Sequence, residues 1–117
     1  MKENVLVDLS KRFAVNIVIV CENISKRRKE YVLFKQLLKS GTSIGANIYE
    51  ANYAASKADF INKLQIALKE CYESQYWLDI FKETEIVSKE EYTELYSQCS
   101  RIRRMLISSI NTSKNNN

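Results

Sequence analysis

A chain of 117 residues, 45% apolar and 27% charged, is one domain by length and has the profile of an ordinary soluble protein. It has no proline and only two glycines, which argues against a turn-rich β fold, and no histidine, which excludes histidine general bases, Ser-His and Cys-His pairs and histidine metal ligands. The net charge of +4 is mild and uneven: residues 1–39 hold nine Lys/Arg against four Asp/Glu, and residues 40–84 hold four against six. That falls short of the footprint of a dedicated DNA-binding domain.

The first helix is expected from about Val5 to Ser25. Leu6, Leu9, Phe13, Ile17, Val20 and Ile24 recur at steps of three and four, a heptad-like seam. The β-branched run from Asn16 to Cys21 makes a strand the local competitor, but the regular spacing on both sides favours helix. Its apolar core, Ile17 to Cys21, is too short to cross a bilayer. Met1 to Asp8 carries Glu3 and Asp8 and no apolar h-region, so no secretory signal and a cytoplasmic location are expected. A charged connector, Ser25 to Glu30, follows.

The second helix starts near Tyr31, carries Phe34, Leu37, Leu38, Gly41, Ile44, Ile48 and Ala51, and ends near Tyr53. Both glycines of the protein, Gly41 and Gly45, lie inside it, one turn apart and flanked by Ser40, Thr42, Ser43 and Ala46. A Ser-Gly-Thr-Ser cluster is also a turn signal. As helix, two interior glycines cost about 1 kcal/mol each against alanine, so close approach of another helix or a need for exposed backbone should offset them. Ser40, Ser43, Asn47 and Glu50 form a polar stripe beside the apolar one.

Ser56 reads as an N-cap with Asp59 three residues on, opening a third helix from about Lys57 to Glu83. Phe60, Leu64, Ala67, Cys71, Leu78 and Phe81 make one apolar face. Ile61, Leu68, Tyr72, Tyr76 and Ile80 make a second, with Trp77 near both. Two apolar faces are too many for the outside of a small monomer. After a turn at Thr84–Val87, Ser88-Lys89-Glu90-Glu91 is a stronger capping box. The fourth helix then carries Tyr92, Leu95, Cys99, Ile102, Leu106 and Ile110 on its core face. Residues 112–117 have nothing to bury and are expected to be disordered, leaving one domain over 1–111. The fold class is all-α, an antiparallel up-down-up-down four-helix bundle.

Chemistry is sparse. Cys21, Cys71 and Cys99 lack C-x-x-C spacing and read as small buried hydrophobes in a reducing compartment. Glu50, Glu70 and Glu73 read as solvated or salt-bridged acids, with a magnesium-type site the alternative that no spacing supports. No cofactor, metal or catalytic residue is expected. In such a bundle Lys11, Arg12, Arg101, Arg103 and Arg104, with Lys2, Lys57 and Lys114, are expected to gather at one end, and residues 101–117 carry four cations and no acid. Cations at a helix C-terminus complement its dipole; a phosphate-binding surface is the functional reading. At the other end, residues 26–29 should meet Glu83, Glu85, Glu90 and Glu91. Tyr72, Tyr76 and Trp77 read as core or subunit interface rather than base-stacking groups.

Gln36-Leu37-Leu38-x-Ser40-Gly41-Thr42-Ser43-Ile44-Gly45-Ala46-Asn47-Ile48-x-Glu50-Ala51 resembles the signature of the "four helix bundle protein" family, also called the 23S rRNA intervening-sequence proteins. Ser56-Lys57-x-Asp59-Phe60-Ile61-x-Lys63-Leu64 and Ala67-Leu68-Lys69-Glu70-x-x-Glu73-x-x-Tyr76-Trp77-Leu78 continue it, and Cys71-Tyr72 is one departure. The resemblance covers residues ~30–82 and rests on a dozen small and polar positions in order. It implies a four-helix bundle that assembles as a homopentamer around a central channel. It also implies kinship with the accessory variability determinant of diversity-generating retroelements, a basic pentameric bundle that binds nucleic acid and a reverse transcriptase. For most members no biochemical function is established.

The expectations are therefore a non-enzymatic homo-oligomeric scaffold that binds RNA or DNA through Lys11, Arg12, Arg101, Arg103 and Arg104. Its helix-packing or oligomer contacts are expected at Ser40, Gly41, Ser43, Gly45, Asn47, Tyr76, Trp77 and Ile80. The alternative is a protein–protein adaptor for a polymerase, a reverse transcriptase or a ribosomal component, with no direct nucleic-acid role. No membrane partner is expected.

Overall fold

The computed structural model of the chain describes residues 2–28 and 32–116. They form four helices, α1 (Lys2–Arg27), α2 (Val32–Ala51), α3 (Lys57–Glu83) and α4 (Lys89–Asn115). Each helix packs on the next in sequence and α4 closes the ring on α1, whereas the backbones of the diagonal pairs do not approach one another among the described residues. This is the antiparallel up-down-up-down bundle, 50 Å long and about 20 Å across. The α1–α4 seam is the loosest of the four.

The apolar seams read from the sequence are the ones buried. Phe13, Ile17 and Ile24 of α1 meet Leu37, Ile44 and Ile48 of α2, Leu64, Leu78 and Phe81 of α3, and Leu95, Ile102 and Leu106 of α4. Phe34 and Phe81 close one end of the core edge-to-face, with centroids 6.0 Å apart. The β-branched run in α1 is helical; Val15 and Ile19 are about half exposed on its outer side.

Hydrogen-bonding signals set several boundaries. Ser56 Oγ accepts from the Asp59 N–H at 3.1 Å, and Asp59 Oδ2 accepts from the Ala55 N–H at 3.2 Å. Helix α3 begins and ends where its sequence signals place it. Ser88 Oγ accepts from the Glu91 N–H at 3.0 Å while Glu91 Oε1 accepts from the Ser88 N–H at 2.8 Å, a complete capping box. Helix α2 stops at Ala51, two residues before the expected end. There the N–H groups of Asn52 and Tyr53 reach back three residues, to the carbonyls of Tyr49 and Glu50, and tighten the last turn. The expected start of the second helix at Tyr31 and the end of the preceding connector, Lys29 and Glu30, lie outside the described residues.

The expected disorder from residue 112 is a correction. Helix α4 continues to Asn115, and the Asn116 N–H donates to the Thr112 carbonyl at 3.2 Å. Thr112 and Ser113 face a recess beside Leu6, Ile48 and Phe60, so this polar segment has a surface to lie on.

The glycine cluster is helical and neither glycine has a positive φ. Their value is proximity: Gly41 lies against Ile17, and Gly45 against the backbone of Ser10.

Candidate nucleic-acid interface

The five cations expected on one surface sit on different faces, because consecutive helical residues diverge by 100°. Arg12 of α1 and Arg101 of α4 line one groove of about 220 Å³ with Leu9, Gln98 and Ile102. Lys11, one residue from Arg12, lines the opposite edge of α1, where Asp8, Thr42, Gly45 and Tyr49 border the α1–α2 groove. Arg103 turns toward α3, its guanidinium carbon 5.4 Å from the centre of the Tyr72 ring. Its Nε–H is buried and finds no acceptor among the described residues. Arg104 is exposed. Arg101, Arg103 and Arg104 stand near the middle of α4 rather than at its C-terminal end. The dipole argument, which acts within the last turn, therefore does not explain them. Lys57 and Lys114 are exposed at the expected end; the Lys2 side chain lies outside the described residues.

Among the described residues, Lys11, Arg12, Lys57, Arg101, Arg103, Arg104 and Lys114 form no ion pair. Lys63 Nζ and Glu50 Oε1, 3.1 Å apart, form the one ion pair among the described residues. The expected neutralisation at the connector end is likewise not made by contact. Lys26, Arg27 and Arg28 have no carboxylate within 4 Å among the described residues, and Arg27 Nε instead donates to the Asn23 carbonyl at 3.3 Å. Lys29 of that cluster lies outside the described residues.

Glu50, Glu70 and Glu73 have different surroundings. Glu50 holds Lys63. Glu73 accepts from Trp77 Nε1 at 3.4 Å. Burial, and then the charge of Glu73, push the Glu70 carboxyl above its ordinary range, partly offset by the Ser43 hydroxyl and by Lys69 and Lys39. No three Cys, Asp or Glu side chains among the described residues are placed to hold a metal ion.

The small-residue stripe divides between two helix contacts. Ser40 is buried at the α2–α3 contact, where Ser74 Oγ donates to Ser40 Oγ at 2.9 Å and Ser40 Oγ donates to the Leu37 carbonyl at 3.3 Å. Gly41 and Gly45 serve α1–α2. Ser43 and Asn47 are half-buried, and Asn47 Nδ2 donates to the Ser43 carbonyl at 2.9 Å. The second apolar face of α3 divides: Ile61, Leu68, Trp77 and Ile80 pack against the core, and Tyr72 and Tyr76 stand outside it. Tyr76 is 60% exposed and Tyr72 50%, while Trp77 and Ile80 are half-buried. Tyr76 and Trp77 meet edge-to-face at 5.2 Å.

Sequence reasoning missed the polar groups that cross helix contacts. Asn16 Nδ2 donates to Gln98 Oε1 at 3.1 Å beside the Arg12–Arg101 groove, and Gln75 Nε2 donates to Ser100 Oγ at 2.9 Å in the α3–α4 contact. Their signal was position: each lies at or next to the apolar seam of its helix.

Comparison with known proteins gives a consistent family. The chain is 50% identical to a protein of unknown function from the S23 ribosomal protein family of Bacteroides thetaiotaomicron, whose crystal structure was determined at 1.70 Å resolution. The match covers 95% of this chain and 99% of that one, with a TM-score of 0.92. No curated protein matches. No helix among the described residues is long and apolar enough to cross a membrane. Residues 2–108 match the 23S rRNA-intervening sequence proteins, and the chain belongs to that family.

Proposed function

We propose that the chain is a non-enzymatic, cytoplasmic, homo-oligomeric scaffold, a pentamer, that binds RNA or DNA electrostatically through its arginine-bearing faces. The observation that carries this reading is the unpaired state of Arg12, Arg101, Arg103 and Arg104, none of which has a carboxylate within 4 Å among the described residues. Arginines left free of acids are available to phosphates, and displacing counterions from a polynucleotide favours binding at low salt. The family's description, which concerns sequences intervening in 23S rRNA, supports an RNA-linked setting.

The test is fluorescence anisotropy with a 20-nucleotide RNA, together with light scattering on a sizing column. Expected are a mass several times 13.6 kDa and binding that weakens steeply between about 50 and 200 mM salt. No binding at the lower salt overturns the nucleic-acid role; a monomeric mass at micromolar concentration overturns the assembly.

The exposed Tyr72 and Tyr76 with Trp77 and Ile80 favour a second reading, an adaptor that docks a polymerase or ribosomal protein. It predicts a partner in pull-downs that survives nuclease treatment.

A further inference from the structure

Arg12 and Arg101 face one groove from two helices, over a floor of Leu9 and Ile102. Both guanidiniums are permanently charged and donate only. Gln98, on the same groove, adds a third donor. Its Oε1 already accepts from Asn16 Nδ2 at 3.1 Å, which orients the amide and leaves its NH2 group without an acceptor among the described residues. None of the described acids of the two helices lines this groove. Asp8 and Glu22 line the α1–α2 side, Glu91 closes the cap of α4, and Glu90 and Glu94 border the first turns of α4 beside Lys89. The described polar groups lining this groove therefore attract an anion, and its apolar floor strengthens such bonds by keeping water from one side.

From this juxtaposition we infer that the α1–α4 groove is a seat for one phosphate group. Arg12 grips it from one wall, Arg101 from the other, and the Gln98 amide gives the third bond. Two forked guanidiniums match the several oxygens of a phosphate better than the two of a carboxylate. The phosphate is either free or part of a polynucleotide backbone; only the second case rests on the function proposed above. The loose packing of α1 on α4 leaves the groove open.

The experiment compares the full chain with Arg12→Gln, Arg101→Gln, the double variant R12Q/R101Q and the control Lys35→Gln, at an exposed position of α2 outside the arginine-bearing faces. Both groove arginines are exposed, so helicity by circular dichroism should be unchanged. The probes are inorganic phosphate, by calorimetry, and a 20-nucleotide oligo-U RNA, by anisotropy. Each single groove variant is expected to weaken RNA binding about tenfold, and the double variant little further, because a grip needs both sides. The salt slope should fall by about 0.7, the value for one phosphate on a single strand, while Lys35→Gln leaves the groove's grip intact. Loss of RNA binding alone identifies a backbone phosphate; loss of inorganic phosphate binding as well identifies a seat for free phosphoryl groups. If R12Q/R101Q binds both probes as the unmodified chain does, the seat is wrong while the proposed function stands. If the unmodified chain binds neither probe, both fail.

Discussion

Gly45 of α2 rests on the backbone of Ser10 in α1: a Cβ at position 45 would stand 3.3 Å from the Ser10 carbonyl oxygen and 3.4 Å from its carbon and Oγ. One turn earlier the approach is tighter and involves a side chain. A Cβ at Gly41 would meet Ile17 Cγ1 at 3.0 Å, Cγ2 at 3.1 Å and Cβ at 3.4 Å. The two glycines thus set how closely α2 lies on α1.

Alanine at each position separates the two opposing terms. Replacing a helix-interior glycine by alanine contributes about 1 kcal/mol through helix propensity. Overpacking costs roughly 1–3 kcal/mol. Ile17 is β-branched and fully buried, so at position 41 the clash wins, and Gly41→Ala should destabilise by about 1 kcal/mol. At position 45 a movement of a few tenths of an ångström relieves the contact, and Gly45→Ala should lie within about 0.5 kcal/mol of the parent. Urea midpoints at constant m-value measure both; a Gly41→Ala chain more stable than its parent would show that α1 and α2 can separate without loss.

The same pair shows how much the sequence makes legible. Missing side chains at i and i+4 with no proline nearby announce a close helix contact, but not which helix makes it, since periodicity is a property of one helix and partner choice belongs to the bundle. The apolar seams, the Ser56 and Ser88 caps and the four-helix order follow from local rules and are seen as expected. The site was less legible. Arg101, Arg103 and Arg104 are neighbours in sequence yet point to three places, and whether Arg101 meets Arg12 depends on the rotation of α4 about its axis. The Ser74–Ser40 and Gln75–Ser100 hydrogen bonds were hidden for a related reason: a serine or glutamine at a helix seam looks like a surface residue until its partner is known.

Glu85 offers a gain in stability. It is the residue beyond the α3 cap, with φ 59°, in the left-handed region. Its N–H donates to the Lys82 carbonyl at 3.1 Å and the Ile86 N–H donates to the Phe81 carbonyl at 2.8 Å, the two bonds of a Schellman motif, with Ile86 and Phe81 both buried beneath it. A side chain here carries a steric cost of roughly 1 kcal/mol that glycine does not. Glu85→Gly should raise stability by about 0.5–1 kcal/mol, offset in part by the greater freedom of the unfolded chain. Calorimetry should show the melting temperature rising by a few degrees; a fall would mean that the Glu85 side chain contributes more than its backbone conformation costs.

Stability should decline at alkaline pH. Burial pushes the Cys21 thiol from 9.0 up to about 11. The hydrogen bond to Asp79, then burial and the charge of Asp79, push the Tyr92 phenol from 10.0 up to about 12. Cys71 is held protonated still more strongly, first by its hydrogen bond with Cys99 and then by burial. Each group is neutral when protonated and ionises more readily in the unfolded chain, so the folded state holds more protons above the unfolded value. Its contribution is complete below pH 9 and is lost across about pH 9–11 for Cys21 and pH 10–12 for Tyr92. Urea midpoints should therefore fall through this range. Cys21→Ala should flatten the lower part of the decline and Tyr92→Phe the upper part, and an unchanged slope in both variants would assign the decline to other groups.

The outer face of α3 is where the proposed assembly can be tested. Tyr76 is 60% exposed, and Ile66, on the same outward side by helical spacing, is 37% exposed. Trp77 and Ile80 continue the strip and are half-buried. Tyr76 and Ile66 are exposed, so charge placed at either should leave the bundle folded, whereas Trp77 and Ile80 pack against the core. An apolar aromatic strip of this kind has the composition of an interface centre. Tyr76→Glu and Ile66→Glu should each bring the mass in solution toward 13.6 kDa at micromolar concentration while the far-ultraviolet helical signal holds. Placing the same charge on the exposed side of α1 by Asn23→Glu should change neither. Assembly that survives both α3 variants would move the subunit contact to another surface and leave the α3 strip to a different partner.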